Sequence, residues 1–124
     1  MANGLEKVGR EFHPVLPGGL SLSQCVQNAA PDARVAAAFH LVPAAALAAL
    51  DRPLESDVIV CADDDARRVV LDLIVGIPDL RAFDGGSLVN ALGIEAFAAL
   101  LITLNLRHKG KGTLRLMGLE GYHS

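Results

Sequence analysis

The sequence contains no tryptophan, and aromatic side chains make up only 4% of its 124 residues. Alanine, valine and leucine must therefore fill the core, which suits helices packed on a sheet. A domain so poor in aromatic side chains offers no platform on which nucleic-acid bases could stack. The net charge of −3 also argues against phosphate backbones, which need a concentrated basic surface. We therefore expect no nucleic acid among the partners.

Cysteine is also scarce, and neither Cys25 nor Cys61 lies in a Cys-x-x-Cys pair. Two cysteines cannot form a disulfide framework, and Cys61 ends an apolar run typical of a buried, inert thiol. The first twenty residues mix charges with glycine and proline, unlike a signal peptide. The longest apolar run, about 96–106, is shorter than a membrane-spanning helix. These features predict a cytoplasmic protein without a membrane partner.

Motifs that would mark a complete enzyme are missing. No strand is followed by G-x-G-x-x-G and a helix, and the nearest match, Pro17-Gly-Gly, follows no convincing buried strand. The histidines are scattered, so we expect no metal site. Acidic residues 63–65 are better interpreted as the first turn of a helix than as metal ligands. No serine lies in a nucleophile elbow, so no catalytic residue is predicted.

Hydrophobic spacing and turn residues predict an α/β fold over a single domain, residues 1–124. Residues 1–20 are expected to be an irregular lead-in, and residues 109–124 a flexible tail. Helices are predicted at about 22–30, 43–50, 64–75 and 89–108, and strands at about 35–40, 57–61 and 80–83. We expect a small, mostly parallel sheet with flanking helices. The long C-terminal helix is apolar on nearly every side, which is typical of a subunit interface.

The most informative segment runs from Arg34 to Leu47. It predicts a short buried strand ending at His40 and a helix that opens at Pro43, because proline fits the first turn of a helix. Proline also favours extended backbone at Val42. His40 would then lie at the carboxyl end of a strand, where open α/β sheets bind ligands.

A second candidate ligand site is the turn Asp84-Gly-Gly-Ser87. Its backbone N–H groups could hold a phosphate. The commoner structure for such a sequence is a tight turn in which Ser87 caps the following helix.

Several segments, in order and spacing, resemble the carboxyl-terminal half of the NADPH-dependent reductases of the deazaflavin coenzyme F-420. They cover residues from about 5 to 107, namely Val8-Gly-Arg-Glu-Phe-His-Pro14, Pro31-Asp-Ala-Arg-Val-Ala-Ala-Ala-Phe-His40, Pro43-Ala44, Arg52-Pro-Leu-Glu-Ser-Asp-Val-Ile-Val-Cys61-Ala-Asp-Asp and Leu80-Arg through Asp84-Gly-Gly-Ser-Leu88. The Ala-Phe-His…Pro-Ala and Val-Cys-x-Asp-Asp elements are the most specific.

The resemblance implies hydride transfer between NADPH and the deazaflavin, with NADP(H) and coenzyme F-420 as cofactors. It implies that His40 hydrogen-bonds the coenzyme, that Val42 packs near the reacting rings, and that Pro43 begins the adjoining helix. Ser21, which can cap the helix predicted at about 22–30, matches a serine at a helix N-terminus. The family's dinucleotide-binding Rossmann half would lie upstream of Met1 or be supplied by a separate chain, and a homodimer is implied.

Other positions depart from the family. Where its last helix usually has an arginine, a Ser-Leu-Thr-Pro stretch and an asparagine, this sequence has Leu92, Ala96-Phe-Ala-Ala99 and Thr103. Two further hypotheses therefore stay open beside the oxidoreductase. One is a non-catalytic dimerisation or ligand-binding module, a degenerate relic. The other is a truncated fragment with an exposed sheet edge.

Overall fold

A computed structural model describes residues 4–42, 48 and 55–123. In chain order the strands and helices are β1 (Leu5–Val8), β2 (Glu11–Pro14), α1 (Leu22–Ala29), β3 (Ala36–Ala37), β4 (Ser56–Ala62), α2 (Asp64–Val75), β5 (Leu80–Asp84) and α3 (Ala91–Arg107). Short 3-10 turns occupy Pro17–Gly19 and Leu88–Asn90. The helix predicted over 43–50 lies, apart from Ala48, outside the described residues.

The central sheet is mixed, which corrects the prediction of a mostly parallel sheet. Strand β4 pairs in parallel with β5 and antiparallel with β3. The strand predicted over 35–40 is reduced to Ala36–Ala37. The apolar run of β4 correctly indicated a strand covered on both faces, but a central strand of a mixed sheet is covered in the same way. Burial alone therefore does not reveal the direction of a neighbouring strand.

Alternate side chains of β4 enter two apolar clusters, one on each face of the sheet. Val58 and Val60 pack with Leu71 and Ile74 of α2. Cys61 packs on the other face, against residues of α3 that include Ala91, Ile94 and Ala98. Cys61 is 1% exposed, as predicted for an inert thiol, and burial raises the pKa of that thiol. The two clusters fix α2 and α3 on opposite faces of one strand.

The lead-in is more regular than predicted. Strands β1 and β2 form an antiparallel hairpin, with Leu5 opposite Pro14 and Val8 opposite Glu11. The hairpin is joined to α3, because the Phe12 N–H donates to the Thr103 hydroxyl oxygen over 2.9 Å. That contact spans 91 residues of sequence, so local patterns could not predict it.

The tail also differs from the prediction of a flexible segment. Its backbone bonds to the sheet at two places: the Asp57 N–H donates to the Leu114 carbonyl (2.9 Å), and the Tyr122 N–H donates to the Ala82 carbonyl (2.6 Å). The Tyr122 hydroxyl donates to Asp72 of α2 over 2.9 Å. These bonds hold the segment from Leu114 to Tyr122, the C-terminal segment, along β4 and β5.

The last helical region runs without interruption from Leu88 to Arg107 and is 20 residues long. It is longer than the apolar run identified in the sequence. By length and composition alone it could cross a membrane. One side of α3 nevertheless packs into the protein, where Ala91, Ala98 and Ala99 are buried. A core helix of a soluble protein can have the same length and composition, so these two properties are weak evidence of a membrane span.

Alanine substitutions at two glycines are expected to change the stability of the protein in opposite directions. A Cβ atom on Gly85 would lie 2.7 Å from both the Cys61 Sγ and the Ile59 Cγ2 atoms, whereas one on Gly93 of α3 would meet nothing within 4 Å. We expect Gly85→Ala to lower the free energy of unfolding by about 2 kcal/mol through overpacking. Gly93→Ala should raise it by roughly 0.5–1 kcal/mol through helix propensity. Urea unfolding of both variants checks this, and equal effects would contradict it.

Candidate functional site

The turn that follows β3 carries two of the predicted coenzyme residues. The Val42 N–H donates to the Phe39 carbonyl over 3.2 Å, closing the turn around His40. Phe39 has a φ of 61°, a left-handed conformation that non-glycine residues rarely adopt. His40 and Val42 are 8% and 7% exposed. The structure thus brings these two predicted residues together, while Pro43 lies outside the described residues.

The space bounded by this turn is narrow among the described residues. It is lined on the turn by Phe39 to Val42, and opposite by Asp57 to Ile59 of β4 and by Ile94 of α3. It has no room for a water-sized sphere. A flat ring could therefore contact His40 and Val42 only if part of this lining moved.

Ser21 has a structural role at the start of α1. Its hydroxyl oxygen accepts from the Gln24 N–H over 3.0 Å, and the Gln24 side chain accepts from the Ser21 N–H. This reciprocal capping box confirms the cap predicted from sequence. Ser21 is fully buried, so its hydroxyl faces the protein and not solvent.

Glu95 of α3 completes the same helix terminus, and the sequence analysis missed it. One carboxylate oxygen accepts from the Leu22 N–H (2.6 Å), and the other accepts from the Ser23 N–H (3.1 Å) and hydroxyl (2.8 Å). A carboxylate is favourable at a helix N-terminus, where N–H groups are unpaired. The place that an anionic coenzyme group could take at α1 is therefore occupied by the protein's own carboxylate. A lone acid inside an apolar helix was the available signal.

A second buried carboxylate, Asp57, lies on β4 beside the His40 turn. The Arg81 guanidinium of β5 donates to both of its oxygens, over 2.7 and 2.6 Å. The Leu116 N–H adds a third bond. Arg81 also donates to the carbonyls of Leu116 and Leu119 over 2.7 and 3.2 Å. We call this arrangement the Asp57–Arg81 clamp, because it ties the C-terminal segment to β4 and β5.

Opposing effects act on the pKa of Asp57. Burial alone raises it, but the hydrogen bonds from Arg81 and Leu116 and the charges of Arg81 and Arg115 together lower it below the ordinary value of 3.8. A carboxyl group whose pKa is lowered by folding stabilises the protein when ionised. The contribution of Asp57 is therefore complete above pH 3.8 and is lost as the pH falls through its folded-state pKa.

The acidic run after β4 belongs to the start of α2, as predicted. Asp64 and Asp65 lie in the first turn, and Asp63 occupies the cap position without a side-chain capping bond. Arg67 bonds Asp64 (2.8 Å) and Asp84 (2.9 Å). A cavity of about 940 Å³ lies between this helix start and residues 31–35. Within the described ranges no group of three or more His, Cys, Asp or Glu is arranged to hold a metal.

The Asp84–Ser87 segment forms the tight turn. The Gly86 N–H donates to the Asp84 side chain over 2.8 Å, and the Gly85 N–H donates to the Val60 carbonyl over 2.8 Å. Ser87 occupies the cap position of the 3-10 turn but makes no side-chain capping bond. The N–H groups of both glycines are thus used within the protein, so they do not form a phosphate cradle here.

The α3 positions that depart from the family divide into two groups. Ala98, Ala99 and Thr103 are buried, and the Thr103 hydroxyl donates to the Ala99 carbonyl over 3.0 Å. Leu92, Ala96 and Phe97 retain contact with solvent. Only the second group could meet a ligand without rearrangement.

These features define an α/β protein with a mixed sheet and a buried turn at its β3 end. No family model matches the sequence. The chain is 41% identical over 108 residues, 86% of its length, to the F420-dependent NADP reductase of Methanocaldococcus jannaschii. It is 42% identical over 77 residues to the reductase of the same name from Methanothermobacter thermautotrophicus. These comparisons confirm the predicted resemblance to the F420-dependent NADP reductases.

The fold agrees with this resemblance. A crystal structure from Arthrobacter sp. FB24, provisionally named an F420-dependent NADP-reductase, superposes with a TM-score of 0.72 over 90% of the chain, at 22% identity. The chain spans about half the length of the M. jannaschii relative (48%) and of the Arthrobacter protein (53%).

Glu95→Gln tests whether the carboxylate holds α1 against α3. The amide has only one acceptor oxygen, so a buried N–H or hydroxyl of residues 22–23 loses its partner, and stability should fall by about 2 kcal/mol. Urea unfolding measures the loss. Hydrogen exchange at the Leu22 and Ser23 amides should quicken in parallel. Ser21→Ala, which removes only the local cap, is the matched control and should cost about 1 kcal/mol. Wild-type stability in Glu95→Gln would contradict this role.

Proposed function

We propose that this chain forms the deazaflavin-binding half of an oxidoreductase that transfers a hydride between NADPH and coenzyme F-420. The 41% identity to the M. jannaschii F420-dependent NADP reductase over 86% of the chain carries the proposal. The cofactors would then be coenzyme F-420 and NADP(H), acting in the cytoplasm. Because the chain spans 48% of that relative, the whole reaction would need a further dinucleotide-binding part.

The protein's task in such a reaction is positional. Hydride transfer needs the donor and acceptor carbons in near-attack contact, and the cofactors supply the chemistry. In our proposal Val42 forms an apolar wall for the deazaflavin ring, His40 hydrogen-bonds the coenzyme, and Pro43 and Ser21 shape the neighbouring helix starts. The left-handed Phe39 backbone beside them, at φ 61°, is a strained conformation of the kind that concentrates at ligand sites.

The dinucleotide part would come from a separate Rossmann-type chain or from sequence upstream of Met1. It would have to cover the His40 turn, because a ring bound between the two halves is shielded from water only when both walls are present. The turn would open when the deazaflavin binds, and the second wall would then hold it in that open form.

We also propose a homodimer formed through the exposed face of α3. Phe97, Leu100 and Leu104 are 36%, 50% and 38% exposed and follow Gly93 at spacings of four, three and four residues. Such spacing places them in one stripe along the helix. A second copy presents the same stripe, so the two faces are self-complementary.

Two observations favour a different class of function, a non-catalytic dimerisation or ligand-binding module. The space at His40 is too narrow for a ring among the described residues, and the N-terminus of α1 is occupied by Glu95. A relic that had lost coenzyme binding would still keep these stabilising contacts. It would also keep the exposed stripe of α3 through which we propose that it dimerises. Oligomer formation without coenzyme binding is the outcome that this alternative predicts.

Titration of the purified chain with reduced coenzyme F-420 and, separately, with NADPH distinguishes the two functions. We expect saturable binding of the deazaflavin, followed by its absorbance, and no effect of Val42→Ala on any binding of NADPH. Val42→Ala should weaken deazaflavin binding by about tenfold, because one apolar contact with the ring is lost.

Val60→Ala is the matched control for stability, since it removes the same two methyl groups from the apolar cluster that also contains Val42, at a residue for which no coenzyme contact is proposed. It should leave the affinity unchanged. Binding of neither coenzyme at millimolar concentration would overturn the oxidoreductase proposal and favour the module. Equal losses in both variants would show that Val42 acts only through stability.

A further inference from the structure

Positive charges gather around one cavity at the far end of α3. Lys7, Arg10, Arg107 and Lys109 line a cavity of about 440 Å³ together with Gly9 and Leu106. They come from two distant parts of the chain, the β1–β2 hairpin and the C-terminus of α3. The whole chain has only 11 lysines and arginines against 14 acidic residues. Four of the positive charges of an acidic protein therefore face one space.

Intramolecular pairing leaves most of this charge available. Within the described residues, the ion pair at this cavity joins Arg107 to Glu11 over 3.3 Å, with the two side chains 57% and 49% exposed. An exposed pair of this length contributes little energy and can rearrange around a ligand. The helix dipole explains basic residues at the end of α3, because cations are favourable there. It does not explain Lys7 and Arg10, which the hairpin brings to the same cavity.

The backbone at Lys109 gives an independent reason to assign a ligand role. Lys109 follows α3 with a φ of 52°, and the next residue, Gly110, closes the helix end by donating to the Asn105 carbonyl over 3.0 Å. Glycine is the residue usually found at such a left-handed position. A lysine there is strained relative to glycine, and strained residues concentrate at ligand sites.

We propose that this cavity, the hairpin–helix basic site, binds a phosphate-bearing small molecule. The donors are guanidinium and ammonium groups, which bind phosphate oxygens through charge-assisted hydrogen bonds. The volume is in the range of small-molecule sites, and Leu106 gives an apolar contact beside the charged groups. An extended polyanion is disfavoured, because the chain as a whole carries a net charge of −3. The site is independent of the function proposed for the His40 turn.

The test uses inorganic pyrophosphate and calorimetric titration of the intact chain at low ionic strength. We expect saturable binding that salt weakens. Lys7→Ala combined with Arg10→Ala should weaken it by at least about tenfold through the lost charge-assisted bonds. Lys109→Gly should also weaken binding without lowering the unfolding temperature, because glycine suits the left-handed backbone.

Lys111→Ala is the matched control, because this neighbouring exposed lysine is not among the lining residues. Its affinity should stay within about twofold of wild type. An equal loss of pyrophosphate affinity in Lys111→Ala would show that the effect comes from net charge alone, and it would overturn the proposed site. Absence of saturable pyrophosphate binding would overturn it too. So would tighter binding to vesicles of anionic lipid or to single-stranded DNA than to pyrophosphate, since the cavity would then not select a small ligand.

Discussion

The carboxylate of Asp57 is fully buried, and the arrangement of the sheet and the C-terminal segment depends on how its charge is satisfied. An unpaired buried carboxylate would cost several kcal/mol or take up a proton. Three bonds from Arg81 and Leu116 satisfy it instead. Arg81 reaches both oxygens because it lies directly opposite Asp57 in the parallel register of β4 and β5. Strand register and docking of the segment are thereby linked to one charge.

The clamp also bears on the candidate coenzyme site. Asp57 lies in the same enclosed lining as His40 and Val42, so the strand behind the turn is the strand that the clamp fixes. Glu95 makes a comparable connection on the other side, where it joins α1 to α3. Buried carboxylates thus anchor β4 and α3, which form the base on which the His40 turn packs. Such a base suits a protein whose proposed contribution is position, since hydride transfer depends on the distance between two carbons.

Local sequence signals predicted the elements that local physics determines. The start of α1 followed from the capping tendency of Ser21, and α2 followed from its acidic first turn and apolar spacing. The pairing of Arg81 with Asp57 joins residues 24 apart, and that of Glu95 with Ser23 joins residues 72 apart. No periodicity encodes such contacts. The hairpin packed on α3 and the docked C-terminal segment were missed for the same reason.

The candidate coenzyme site was predicted less completely than the helices and strands. The resemblance identified His40 and Val42, and the structure brings them together on one turn, but their contact with a coenzyme stays a prediction. Ser21 was correctly predicted as a cap, and Glu95 beside it was not foreseen. The basic site escaped notice because its charges are spread between residues 7 and 109 and become a cluster only when the hairpin folds onto α3.

Hydrogen exchange at the Leu116 and Tyr122 amides is the most direct measurement of the clamp. Leu116 donates to Asp57 itself, whereas Tyr122 donates to the Ala82 carbonyl further along the segment. In Asp57→Asn, both amides should exchange much faster than in wild type, while the amides in the middle of α3 change less. That result would show that one buried carboxylate holds the whole C-terminal segment. Wild-type protection at Tyr122 in this variant would contradict the account.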